Sequence, residues 1–141
     1  MNSKITGSCL CGEIKFEYFG EVGPSGYCHC SDCRKVTGTA FLVSTRLDIK
    51  GFAVKSSINP GRYSKIADSG REIIREFCPN CGSPLFTFSP EHPEYVWVKA
   101  GSFYDPNIVK PAYQSWMDSK VSWAEIPADL TGYSKGRESS R

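Results

Sequence analysis

Cys28-His29-Cys30-Ser31-Asp32-Cys33 is the stretch around which the chain is organised, because it places three thiols within six residues. Four further cysteines lie outside it in two pairs, Cys9-Leu10-Cys11 and Cys78-Pro79-Asn80-Cys81. A structural zinc ion is closed by four protein ligands, whereas a catalytic zinc ion keeps an open position. The seven cysteines therefore divide into a candidate closed site of four and a candidate open site of three.

Length and composition set the class of protein. The chain has 141 residues, from which we expect a single domain over 1–141 with a frayed tail from about residue 136. Hydrophobic residues make up 40% and charged residues 23%, which is typical of globular chains and excludes a disordered one. No apolar run approaches the roughly 20 residues of a membrane-spanning helix, and no apolar signal segment precedes the first cysteine. We therefore expect a cytoplasmic protein, in which cysteine clusters bind metal more often than they form disulfides.

The formal net charge of +2 counts every thiol as neutral, although metal ligation requires thiolates. Seven thiolates and two zinc ions would together lower this charge by three, to about −1. The 17 basic residues are interleaved with 15 acidic ones, so the basic stripe typical of nucleic-acid-binding proteins is missing from the sequence. We expect neither a nucleic-acid partner nor a membrane partner.

The hydrophobic pattern predicts a mainly β fold with many turns. Glu13–Tyr18 alternates polar with apolar residues and places Ile14, Phe16 and Tyr18 on one face, which is the period of a half-buried strand. No stretch shows sustained helical periodicity. Further strands are predicted at 40–44, 49–55, 62–67, 72–77, 85–88 and 95–100.

Helix-capping and turn-forming residues predict one short helix and one hairpin. A helix of a turn or two is expected at Asp32–Val36, because N-cap residue types stand at its start and Gly38 stands where it would end. Asp68-Ser69-Gly70 separates two predicted strands and indicates a hairpin. Gly82 directly follows the last cysteine and supplies the backbone freedom that a tight metal-binding turn needs.

The outer cysteines Cys9, Cys11, Cys78 and Cys81 suit a tetrahedral zinc ion with no open position, because each pair stands beside a predicted strand. The alternatives are two local disulfides, which a reducing compartment disfavours, or an iron–sulfur cluster, which also uses four cysteines. A structural zinc ion here would tie the first strand to the middle of the chain. Its loss is expected to unfold the protein.

The inner cysteines Cys28, Cys30 and Cys33 favour an open, catalytic zinc site. Two alternatives remain, which are a redox trio and a second closed zinc site with His29 or His92 as fourth ligand. His29 stands between two ligands, so we expect its side chain to point away from the ion.

The neighbouring Arg34 and Lys35 are candidates for binding an anionic substrate beside the metal, since arginine suits paired recognition of carboxylates. The alternative is that both are ordinary solvated charges.

With these residues in place, the chain resembles the glutathione-dependent formaldehyde-activating (GFA) family of small zinc proteins. The resemblance lies in the stretches 7–12, 28–41 and 77–86, and more loosely in 120–123. It implies a β-tent fold of small antiparallel sheets held by a structural zinc ion on the four outer cysteines, and a catalytic zinc ion on the three inner ones. It also implies a carbon–sulfur lyase-type activity, the interconversion of glutathione plus formaldehyde with S-hydroxymethylglutathione.

The sequence departs from the family pattern at two places. Gln114 stands where a histidine is common, and Phe103-Tyr104 replaces a Leu-Asp pair. Family resemblance alone does not fix the substrate.

Chemistry favours a thiol as the substrate of the open site. Three thiolates give the Zn²⁺ complex a net charge of about −1, which makes the metal a weak electrophile but leaves it able to take and deprotonate an incoming thiol. Such a thiolate could attack an aldehyde carbon held beside it. The alternative function is a zinc-stabilised binding module on the same scaffold without catalysis.

Overall fold

A computed structural model describes residues 4–137, and the end of the predicted tail, 138–141, lies outside the described residues. The strands are β1 (Ile5–Ser8), β2 (Ile14–Tyr18), β3 (Ser25–Cys28), β4 (Leu42–Asp48), β5 (Phe52–Ser56), β6 (Gly61–Ile66), β7 (Glu72–Phe77), β8 (Pro84–Phe88), β9 (Tyr95–Lys99), β10 (Pro111–Ser115) and β11 (Thr131–Gly132). The α-helix is α1 (Ser31–Thr37), and short 3₁₀ turns lie at Ile49–Gly51, Ala100–Ser102, Pro106–Ile108 and Met117–Ser119. The predicted mainly β class is confirmed.

The described strands form two sheets. The smaller has the order β1-β2-β5, and the larger has the order β11-β10-β3-β4-β9-β8-β7-β6. The pairs are antiparallel except at one end of the larger sheet, where β10 runs parallel to both β3 and β11. That parallel end brings the residues after β10 beside the cysteine stretch that follows β3.

The hydrophobic core is built from the apolar face predicted for β2. Ile14, Phe16 and Tyr18 are at most 2% exposed. Phe16 makes edge-to-face ring contacts with Phe86 of β8 and with Phe103, at centroid distances of 5.5 and 5.6 Å. Such pairs stabilise a core beyond the burial of their area. The core therefore joins the smaller sheet to one face of the larger sheet.

The other face of the larger sheet carries different residues. In β9, Val96 and Val98 belong to the core, so strand alternation directs Trp97 and Lys99 to the opposite side. Trp97 lines a cavity there together with all three inner cysteines. The hydrophobic core thus lies on one face of the larger sheet, and a cavity lined by the three inner cysteines lies on the other.

One predicted strand is shorter than the pattern indicated. The strand expected at 49–55 begins only at Phe52, because Ile49–Gly51 forms a 3₁₀ turn. The carboxylate of Asp48 accepts a hydrogen bond from the backbone N–H of Lys50 at 2.9 Å and caps this turn. A side-chain cap of this kind competes with strand pairing. It cannot be predicted from the alternation of polar and apolar residues.

The short helix is confirmed, with a different first residue. It begins at Ser31, and its N-cap is Cys30, whose Sγ accepts a hydrogen bond from the backbone N–H of Cys33 at 3.2 Å. Gly38 ends the helix with φ 69°, as its position predicted. A cysteine at the N-cap places one sulfur at the start of the helix and a second within its first turn.

The hairpin predicted around residues 68–70 is confirmed. Strands β6 and β7 pair antiparallel over their full lengths, and Gly70 has φ 87°. No helix among residues 4–137 is long and apolar enough to cross a membrane.

Candidate metal centres

The four outer cysteines meet in space although their two pairs lie far apart in sequence. Their Sγ atoms all lie within 4.8 Å of one another. The Sγ of Cys11 lies 3.6 Å from that of Cys9 and 3.7 Å from that of Cys78. A tetrahedral zinc ion at about 2.3 Å from each sulfur separates the sulfurs by about 3.8 Å, whereas a disulfide requires about 2.05 Å. The geometry fits a metal ion, and all four cysteines are free thiols in place of the two local disulfides.

Two similar turns present these sulfurs. Cys9 and Cys11 lie between β1 and β2, where Gly12 has φ 80°, and the second pair lies between β7 and β8, where Gly82 has φ 81°. The N–H of Gly82 donates to the carbonyl of Cys78 at 2.7 Å, which closes the second turn. Glycine is suited to both positions because other residues adopt positive φ at a cost.

Backbone and hydroxyl donors surround the outer sulfurs and favour their ionised form, whereas burial acts in the opposite direction and raises the pKa of Cys78 to about 11. The N–H of Ile14 lies 3.3 Å from the Sγ of Cys9, and the N–H of Cys81 lies 3.4 Å from the Sγ of Cys78. The hydroxyl of Ser83 is 3.2 Å from the Sγ of Cys81 and is the main reason that the pKa of Cys81 is lowered to about 5. Thiolates are the form in which cysteine binds zinc.

The three inner cysteines form the second sulfur cluster. Cys28 ends β3, Cys30 caps α1 and Cys33 lies in its first turn, which brings their Sγ atoms within 4.8 Å of one another. Hydrogen bonds from Cys30 and Cys33 lower the pKa of Cys28 to about 3, while the pKa of Cys33 is raised by its hydrogen bond to Cys28. Close thiols of this kind oppose one another's ionisation unless a cation is present. Three mutually close sulfurs therefore fit a divalent metal ion such as zinc.

Strand β10 supports the inner cluster from one side. The backbone N–H of His29 donates to the carbonyl of Ser115 at 3.1 Å, and Cys28 is paired with Ser115 in the parallel register. The hydroxyl of Ser115 hydrogen-bonds to the sulfur of Cys28 and contributes to lowering its pKa. The late strand that the sequence pattern missed thus fixes the position of the cysteine stretch.

A cavity of about 270 Å³ opens beside the inner cluster. Its apolar walls include Leu42, Ile73, Trp97 and Trp116, and its polar wall includes hydroxyls and charged side chains. Trp116 has φ 57° and ψ 42°, a left-handed conformation that is strained for a tryptophan. The hydrogen bond from the N–H of Trp116 to the carbonyl of Lys135, at 2.8 Å, helps to hold this conformation. The chain thus maintains a strained residue at the cavity wall.

Comparison with known proteins agrees with this geometry. The family model described as glutathione-dependent formaldehyde-activating enzyme (GFA) matches residues 4–119. The chain belongs to the GFA family. It is 30% identical over 133 residues to a protein of Halomonas elongata that is named after the same activity, covering 86% of this chain and 80% of that relative. Its fold is similar to the crystal structure of a Rhodobacter sphaeroides protein, with a TM-score of 0.56, 20% identity, and coverage of 70% of this chain and 87% of that one.

The histidine inside the GFA-family cysteine stretch is buried and turned toward β10. His29 is fully buried, and its Nε2 lies 3.1 Å from the Oε1 of Gln114. Because an amide oxygen only accepts, Nε2 donates in this pair. Burial lowers the pKa of His29, which favours the neutral ring. The side chain is thus engaged with Gln114 and lies outside the group of three sulfurs.

The two cations that follow this stretch lie away from the cavity wall. The Nη1 of Arg34 donates to the carbonyl of His29 at 2.5 Å and to the carbonyl of Ser119 at 2.6 Å. Lys35 is exposed on α1. Neither residue is among those that line the cavity. Substrate binding by Arg34 and Lys35 stays a prediction. The guanidinium of Arg34 joins the backbone at His29 to the backbone at Ser119.

The second histidine of the chain does reach the cavity. His92 is among the lining residues, and its Nδ1 lies 3.6 Å from a carboxylate oxygen of Glu94. The sulfurs of the inner cluster form their group without it. His92 therefore contributes to the polar wall.

Sequence reasoning missed the cations on the cavity face of the larger sheet. Arg75 of β7 lines the cavity, and Lys99 of β9 is 8% exposed with its Nζ 2.8 Å from the Oγ1 of Thr87. Burial lowers the pKa of Lys99 to about 8, whereas the nearby charges of Cys33 and Cys28 act in the opposite direction. Two features of the sequence could have indicated these cations. Arg75 directly follows the apolar residues Ile73 and Ile74 within a predicted strand, and Lys99 lies near the end of the apolar strand predicted at 95–100.

Proposed function

We propose that this GFA-family chain is a zinc-dependent carbon–sulfur lyase-type enzyme of the cytoplasm. Its proposed reaction interconverts glutathione plus formaldehyde with S-hydroxymethylglutathione. The observation that carries the proposal is that the three-sulfur cluster of Cys28, Cys30 and Cys33 borders a cavity, whereas the four-sulfur cluster has the full ligand set of a closed zinc site. Two zinc ions per chain follow from this division.

A zinc ion held by the inner cluster would supply an open position at which an incoming thiol loses its proton. In the forward reaction the thiol sulfur forms a bond to the aldehyde carbon, and the carbonyl oxygen gains a proton and becomes a hydroxyl. In the reverse reaction the carbon–sulfur bond breaks, the hydroxyl loses its proton, and the sulfur regains one. No oxidant or reductant is needed in either direction.

The chain's own residues position the reactants. The side chains of Trp97 and Trp116 form apolar walls of the cavity, and hydroxyls at Ser44, Thr87 and Ser115 line the same space. Such hydroxyls can both donate and accept, so they can hold the oxygen of the aldehyde before the bond forms and of the adduct afterwards. Fixing the aldehyde carbon beside the sulfur supplies part of the acceleration through proximity.

The outer cluster has a different role in the proposal. It joins the β1–β2 turn to the β7–β8 turn, and thereby ties the smaller sheet to the larger one. A metal ion there would contribute folding free energy rather than chemistry.

The reaction can be tested by exchange spectroscopy with ¹³C-formaldehyde and glutathione at equilibrium. We expect the zinc-loaded protein to accelerate exchange between formaldehyde and the adduct, and we expect Cys30→Ser to lose this acceleration. Ser57→Ala, a change of an exposed hydroxyl that neither lines the cavity nor belongs to a sulfur cluster, serves as the control and should retain it. S-methylglutathione keeps the carboxylates of glutathione but has no free thiol, so it should neither react nor inhibit strongly. Exchange at the uncatalysed rate with fully loaded protein would overturn the proposal.

A further inference from the structure

The cavity face of the larger sheet carries two cations close to the inner cluster. The strand register places Arg75 beside Thr87, and Thr87 beside Trp97. All three line the cavity together with the inner cysteines. Lys99 lies two residues after Trp97, so strand alternation directs it to the same face, where it hydrogen-bonds to Thr87.

Arg75 lines the cavity and Lys99 contacts the cavity wall through Thr87, and both differ from the other cations near the cavity in having no acidic partner among the described residues. Lys65 pairs with Asp32 at 2.7 Å, and Arg71 pairs with Glu91 at 3.0 Å. Within residues 4–137, neither Arg75 nor Lys99 forms an ion pair. Asp68, which also lines the cavity, is exposed and therefore screened by water.

A buried ammonium group without a counter-charge is costly, so something must compensate Lys99. Thr87 offers it only a neutral hydroxyl. The thiolates of the inner cluster compensate this charge in part, because Cys33 and Cys28 both favour the charged form of Lys99. The cations and the sulfurs therefore act as one electrostatic unit around the cavity.

A charge count shows which ligand would complete this unit. Three thiolates and one Zn²⁺ carry a net charge of −1. A fourth thiolate brings this charge to −2, which Arg75 and Lys99 together match. A neutral fourth ligand would leave one of the two cations without a counter-charge in a partly desolvated site.

We propose that Arg75 and Lys99 make the position beside the inner cluster selective for an anionic sulfur ligand over a neutral ligand. This inference rests on the proposed function and assigns two specificity-determining residues to it. The ligand class is a low-molecular-weight thiol bound as its thiolate. The cations act on the charge of the sulfur itself, independently of any carboxylate that the thiol carries.

The test uses Co²⁺-substituted protein, in which ligand binding changes the visible absorption of the open site while the closed site contributes a constant background. The variants are Arg75→Gln and Lys99→Met, and the control is Arg62→Gln, an exposed arginine of β6 outside the cavity. Each protein is titrated with glutathione, with 2-mercaptoethanol, which has no carboxylate, and with imidazole as a neutral ligand. Circular dichroism and cobalt content show whether each variant is folded and loaded.

We expect each cavity variant to raise the Kd of both thiols by about tenfold and by similar factors, because a lost charge interaction of about 1.4 kcal/mol corresponds to tenfold. The Kd of imidazole should change by less than about twofold on the same scale, and Arg62→Gln should bind all three ligands as the unmodified protein does. Arg75 is only half-buried, so Arg75→Gln keeps the test available should Lys99→Met fail to fold.

Two outcomes would overturn the inference while leaving the proposed function intact. One is unchanged thiol affinity in both variants. The other is a loss confined to glutathione, which would make the two cations a carboxylate site. Failure of the unmodified protein to bind any thiol would instead overturn the proposed function.

Discussion

The Nε2 of His29 lies 3.1 Å from the Oε1 of Gln114, and this contact joins the cysteine stretch after β3 to strand β10. Both residues are buried, at 0% and 6% exposure. The Nδ1 of His29 has no hydrogen-bond partner among the described residues, so the bond from Nε2 is the one that satisfies this ring. Gln114 therefore acts as an acceptor for His29.

Gln114→Met tests this contact, because it keeps the side-chain volume and removes the acceptor. A buried donor left without a partner costs about 1–3 kcal/mol, so we expect a loss of unfolding free energy in this range. Urea denaturation of zinc-loaded protein measures it, with Asn107→Ala at an exposed position as the control. A loss below about 0.5 kcal/mol, the usual effect of a surface change, would mean that water replaces Gln114.

The two sulfur clusters predict different consequences when one ligand is removed. Cys78→Ser opens the outer cluster, which joins the two sheets, so we expect the protein to unfold or to lose most of its thermal stability. Cys30→Ser is expected to leave a folded protein with about one zinc ion in place of about two, because its sulfur serves the open site. Elemental analysis and thermal denaturation of both variants provide the measurement. Equal losses of stability, or iron in place of zinc, would contradict the division into a closed and an open site.

The contacts of Arg34 predict a structural effect where the sequence predicted substrate binding. Its guanidinium bonds two backbone carbonyls, those of His29 and Ser119. Hydrogen bonds from charged groups are worth about 1.5–3 kcal/mol, so Arg34→Ala should lower the unfolding free energy by about that amount. Lys35→Ala removes an exposed charge and should change it by less than about 0.5 kcal/mol.

Glutathione titrations at low and high salt separate the two roles of Arg34. A structural role predicts that any loss of affinity in Arg34→Ala is insensitive to salt. A salt-dependent loss of affinity in a variant of unchanged stability would instead support the direct substrate contact.

Local patterns in the sequence were sufficient for much of this architecture. The alternation of Ile14, Phe16 and Tyr18 identified a buried strand face, and the turn at residues 68–70 identified a hairpin, because both signals lie within a few neighbouring residues. The grouping of cysteines into four and three also agreed with the structure, since cysteine spacing limits which sulfurs can meet.

Non-local features were beyond the reach of these patterns. Strand β10 begins with a proline and lacks an apolar alternation, and it forms because it pairs in parallel with β3, over 80 residues earlier in the chain. The cavity face of the sheet is equally non-local, since Arg75 and Lys99 become neighbours only through Thr87 on the strand between theirs. Sequence reasoning could consider only the cations next to the cysteines in sequence, Arg34 and Lys35, whose role in substrate binding stays a prediction.

The last prediction concerns Lys99 and the pH dependence of stability. Burial lowers its pKa from 10.5 to about 8, with Arg75 acting in the same direction and the thiolates of Cys33 and Cys28 opposing it. Between these two pKa values the unfolded chain binds more protons than the folded one, so this group makes stability rise as the pH rises from about 8 to 10.5. Below about pH 8 the charged lysine is a constant destabilising contribution. Each pKa unit is worth about 1.4 kcal/mol, so the whole step amounts to about 3 kcal/mol.

Lys99→Met removes this contribution and should be the more stable protein at pH 7, with an advantage that shrinks as the pH approaches 10. Urea denaturation of both zinc-loaded proteins between pH 7 and pH 10 measures the difference, and Lys55→Met at an exposed position controls for the loss of a lysine. A difference that does not change with pH would mean that Lys99 keeps an ordinary pKa. A more stable variant that also binds thiols less tightly would show that the buried charge is retained for ligand binding at the expense of stability, which is the trade-off common at functional sites.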